Sequence, residues 1–76
     1  MLGERRAIVQ ETSPFAIHGA PMRDVTLVYE DGQVDQARLG QESAPADLRV
    51  GERVLVRSVM RTIVEIVRHE DGAGDP

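Results

Sequence analysis

The clearest pattern in this chain is the alternation at residues 24–30. Val25, Leu27 and Tyr29 point one way; Thr26, Val28 and Glu30 point the other. A period of two is the signature of a strand with one buried face. Asp31-Gly32 follows at once, then a second strand-like run at residues 33–39. An Asp-Gly pair between two such runs predicts a hairpin. Two registers are open. A two-residue turn pairs Tyr29 with Val34. A three-residue turn with a bulge pairs Tyr29 with Gln33 and brings Val25 opposite Ala37. The bulged form is preferred, because it gathers Val25, Leu27, Ala37 and Leu39 on one face.

The rest of the chain fits the same scheme. Residues 6–10 form a short apolar run flanked by charge and predict a first strand. Residues 12–22 carry Pro14, Gly19 and Pro21 and read as a long loop, with residues 15–18 extended inside it. Residues 40–49 make a second connection. Within it, residues 43–48 suit one helical turn, capped by Ser43 or Ala44, with Pro45 near its first position and Leu48 plugging the core. Residues 52–59 and 62–69 are the last two strands, joined tightly near Met60-Arg61. Val54 and Val56 share a face, as do Val64 and Ile66; Ile63 and Val67 fall on the opposite face. Met22 and Met60, at strand ends, read as core plugs.

Five short strands in this order predict an all-β fold: a five-stranded OB-like, Greek-key barrel with one short helical turn. A Src-homology-type small barrel is the alternative. Residues 1–69 make the single barrel domain. Residues 70–76, polar and glycine-rich, read as a disordered tail.

Composition narrows the functional classes. The chain has 76 residues, room for one domain with a thin core. It has no cysteine, so no disulfide and no thiolate chemistry, and its stability rests on a small apolar core or on oligomerisation. The N-terminal residues do not resemble a signal peptide, and no apolar run reaches membrane-helix length. These features predict a soluble, cytoplasmic protein. Net charge is −4 and only Phe15 and Tyr29 are aromatic, which disfavours nucleic acid. All nine basic residues are arginine.

No catalytic or metal constellation emerges. His18 and His69 lie far apart in sequence without carboxylates at ligand spacing. Ser13, Ser43 and Ser58 lack the glycines of a nucleophile elbow. The glycines are scattered over turns rather than gathered into a phosphate loop. The expectation is a protein that is not an enzyme, with no cofactor and no metal.

What remains are candidate partner-binding residues. Arg53 and Arg57 project from the face opposite Val54 and Val56, as a stripe for an acidic partner unless neighbouring acids such as Asp47, Glu52 and Glu65 neutralise it. Ile63 and Val67 form an apolar patch of the kind that marks interfaces. Phe15, in the proline-containing loop, either anchors a partner or folds back on the core.

The segment Val50-Gly51-Glu52-Arg53-Val54-Leu55-Val56 resembles the strand-opening segment of the HypC/HupF hydrogenase-maturation chaperones, small OB-like proteins of about this length. The resemblance covers under a quarter of the chain and implies the fold. That family has a cysteine directly after the initiator methionine; Leu2 stands there in this chain, so the family's ligand chemistry does not carry over. The same segment is also similar to small OB domains attached to some membrane-associated proteins. The expected function is a non-catalytic binding or accessory module with a protein partner or self-association and no membrane. The alternative is a single-stranded nucleic-acid-binding OB protein using Arg23, Arg38, Arg53 and Arg57.

Overall fold

The computed structural model describes residues 2–69, so the expected tail at 70–76 lies outside the described residues. The fold is all-β. Strands β1 (Leu2–Ile17), β2 (Ala20–Tyr29), β3 (Val34–Gly40), β4 (Arg53–Val59) and β5 (Thr62–Arg68) form one antiparallel sheet in the order β3-β2-β1-β4-β5. The edge strands β3 and β5 come close to each other without pairing. The hydrogen-bonded sheet is therefore curled but not closed into the expected barrel.

The β2–β3 hairpin has the bulged register. Val25 pairs with Ala37. The Tyr29 amide donates to the Gln33 carbonyl at 2.9 Å, and the Gly32 amide donates back to the Tyr29 carbonyl. Gly32 sits at φ +88°, a conformation only glycine adopts without strain.

Residues 12–22 are not a loop. They are the far half of β1 and the start of β2, paired from Thr12–Val25 out to Ile17–Ala20. His18 and Gly19, both at positive φ, make the two-residue turn. Pro14 and Pro21 are tolerated because this arm has an open edge. β4 covers β1 only as far as Ile8, and β3 covers β2 only from Met22; a strand can hold proline where one side is unpaired. A bulge at Gln10, between the Val9–Leu27 and Glu11–Thr26 pairs, separates the arm from the body.

The helical turn also moves. A 3₁₀ turn occupies Gln41–Ser43 and ends at Ala44, which is extended at φ −154° and ψ 147°. Ala44 precedes Pro45, and the proline ring drives the residue before it out of the helical region.

The core lies on the inner face of the curl. Val9, Val25, Leu27, Val54, Val56 and Ile66 are almost completely buried, joined by Ala7, Tyr29 and Leu39. Ala44 and Leu48 from the 41–52 connection complete it, and Leu48 plugs it as its apolar character predicts. Each such aliphatic side chain contributes about 1.5–3 kcal/mol by leaving water. Arg68 pins the connection in place through Glu52 and Asp47.

β5 departs from strict alternation. Arg57 pairs with Glu65, but Ser58 pairs with Ile63, so Val64 is the extra residue of a bulge. The bulge turns Ile63 inward to pack on the core and leaves Val64 41% exposed. Ile63 is thus not part of an outer patch. Met60 is no core plug either; it is 79% exposed at the tip of the β4–β5 turn.

Candidate functional site

The alternation that buries Ala7, Val9, Leu27 and Tyr29 sends their neighbours to the opposite, outer face. Ile8 on β1 pairs with Val28 on β2, and Val28 pairs with Val34 on β3. Three apolar side chains thus form a row across three adjacent strands. Ile8 is 47% exposed and Val34 61%. On the other side of β1, Arg6 pairs with Leu55 of β4, which pairs in turn with Val67 of β5. Leu55 and Val67 continue the apolar strip diagonally across the sheet. A shallow groove of about 470 Å³ lies at Ile8 and Val28 and is lined also by Arg6, Ala7, Tyr29, Glu30, Arg53 and His69.

Of the residues singled out from sequence, two join this surface. Val67 lies on the outer face. Arg53 pairs with Ile8 and borders the groove. Arg57 also points outward, but its guanidinium is clamped between Glu4 and Glu65, each at 3.0 Å. The sequence expectation that neighbouring acids neutralise the stripe holds for Arg57 through Glu65; Glu4 is an addition that only the β1–β4 pairing reveals. Phe15 sits apart, in the hairpin arm, where it pairs with Met22. It is half-buried, with the Arg38 guanidinium 4.6 Å from its ring centre. It borders a small hollow of about 140 Å³ with Met22 and Leu39, so it folds back rather than standing out.

The arginines proposed for nucleic acid are engaged with protein. Arg38 holds Asp24 through two hydrogen bonds. Arg23 donates to the Thr12 hydroxyl at 2.8 Å and to the Ala46 carbonyl at 2.7 Å.

At the end of the core nearest the β2–β3 turn, Arg5 lies over the Tyr29 ring, 3.8 Å from its centre, and reaches Asp31 at 3.3 Å. The Tyr29 hydroxyl donates to Asp35 at 3.1 Å. Burial, and then the bond to that carboxylate, push the phenol up to about 12. The contacts form a structural clasp, in which the phenol keeps its proton throughout the neutral range and donates it to Asp35.

Sequence reasoning missed Arg6, Ile8, Val28, Glu30 and Val34. The signal was present in part. Val28 is an apolar residue on the polar side of an otherwise clean alternation, and Ile8-Val9 places apolar side chains on both faces of β1.

Among the described residues, no group of three or more histidine or acidic side chains is arranged to hold a metal ion. No helix is long and apolar enough to cross a membrane. Comparison with protein-family models, with curated proteins and with solved structures finds no match for this chain.

Proposed function

We propose that this protein is a non-catalytic binding module that engages a protein partner through the outer face of its sheet. The observation that carries this reading is the apolar row Ile8–Val28–Val34, continued by Leu55 and Val67 on the side away from the core. Isolated exposed aliphatics are ordinary; an apolar row across three adjacent strands, with Leu55 and Val67 set diagonally beyond Arg6 and Arg53, is what interfaces present. Charged side chains rim the strip, as they rim interface cores generally. The strand order, with β3 and β5 approaching each other, supports an OB-like, partly open barrel as the underlying architecture. The likeness of residues 50–56 to the HypC/HupF chaperones supports that architecture and no ligand chemistry.

The test compares the wild-type chain with Ile8→Glu in capture from the source cells, with circular dichroism as the check on folding. The reading expects a partner held by wild type and lost by the variant. Identical capture by both chains overturns it.

A further inference from the structure

Two opposite charges stand in the outer groove, at facing positions of adjacent strands. Arg6 on β1 and Glu30, just past the end of β2, both line it, one position beyond the Ala7–Tyr29 pair. Among the described residues, neither side chain makes an ion pair or hydrogen bond. By contrast Arg5, Arg38, Arg57 and Arg68 each hold a carboxylate. The next outward positions on the two strands are Ile8 and Val28, which pair across the ladder.

We propose that the outer face binds a second copy of the chain, face to face, about a twofold axis running parallel to the strands between β1 and β2. The proposal rests on the reading of this face as an interface. Such an axis lays β1 of one protomer over β2 of the other at the same height. Ile8 meets the partner's Val28, and Arg6 meets the partner's Glu30; symmetry repeats both contacts. A twofold contact demands that each position on β1 complement its counterpart on β2, and this surface does so twice in succession, apolar to apolar and cation to anion. Other partner chemistries fit less well. An acidic segment satisfies Arg6 and collides with Glu30, and a basic one does the reverse. The short side chains of the strip suit two sheets packed about 10 Å apart.

The experiment is sedimentation of the full chain over a range of concentrations, for wild type, R6E, E30R and an equimolar mixture of the two variants. Both positions are exposed, so the reversals leave the fold intact, with circular dichroism as the check. The wild type is expected to dimerise. Each reversal sets like charges at both symmetry-related contacts and weakens the dimer roughly tenfold or more. The mixture recovers wild-type affinity, because one chain offers two carboxylates to the two guanidiniums of the other. A wild type that stays monomeric at its highest soluble concentration overturns self-pairing. So does a dimer that neither reversal weakens, or a mixture no tighter than its components. In each of those cases the broader interface reading still stands if Ile8→Glu loses a captured partner, and falls if it does not.

Discussion

Tyr29 shows how one side chain ties the sheet to its charges. Its ring closes the core under Arg5, and its hydroxyl is spoken for by Asp35. The folded-state phenol, at about 12, lies above its ordinary value of 10. A raised acid binds its proton more tightly in the folded state, so this contribution to stability is complete below pH 10 and is lost as pH rises from 10 through 12. Because Tyr29 is the only tyrosine, a phenolate absorbance titration reads it directly. The midpoint should lie near 12, and Asp35→Asn should move it back toward 10. In the core itself, Leu27 is fully buried at the centre of the β1–β2–β3 ladder. Leu27→Ala should cost about 3 kcal/mol in denaturant unfolding, from lost transfer energy and the cavity left behind. Individual core residues of this kind were legible in sequence. Val25, Leu27, Val54 and Val56 announce themselves by alternation alone. Ile63 did not, because a bulge at Val64 reverses its face, and no local residue marks that bulge.

At the scale of elements, the turns carry the most information. The β4–β5 connection holds both Met60 and Arg61 at positive φ, 51° and 71°. This is the geometry of a two-residue hairpin turn that asparagine and glycine fill without strain. Replacing the pair with Asn-Gly should stabilise the domain by about 1 kcal/mol, measured as a shift in the urea midpoint at unchanged slope. The Asp31-Gly32 turn was readable for the complementary reason: its residues match its geometry. The β1–β2 turn was not, since His18-Gly19 lies between two prolines that look like loop punctuation. Their place on an open edge is a tertiary fact. The 41–52 connection is held by Arg68, which keeps the Asp47 and Glu52 carboxylates below their usual range. Depressed acids stabilise the fold above their unfolded values and cease to do so as pH falls through the folded ones. Arg68→Gln should therefore flatten the acid limb of the stability profile, followed by thermal midpoints across the acidic range.

For the molecule as a whole, the fold class was legible and the surface was not. Alternation and turn residues suffice to name five strands, because burial dictates them one strand at a time. The outer strip is made by registry between strands: Ile8, Val28 and Val34 come from three separate runs and become neighbours only through pairing. With net charge −4, and with Arg23, Arg38 and Arg57 held by protein partners, short single-stranded oligonucleotides should produce no salt-sensitive binding in fluorescence anisotropy. Backbone protection should follow the strand order. Amides of the Ala7–Val9 stretch of β1, enclosed by β2 and β4, should exchange slowest, and those of the edge strands β3 and β5 fastest.

The division of β1 between two neighbours also sets a timetable. Its far half pairs with β2, across a turn of two residues. Its near half pairs with β4, with Leu2 set against Val59. During synthesis the near half of β1 is thus made well before its β4 partner and is among the last segments of the sheet to find its place. Until then Ala7 and Val9 sit beside an open row of backbone donors and acceptors, the condition under which nascent chains associate wrongly. Contacts this distant in sequence place the domain among the slower small folders, in the millisecond-to-second range.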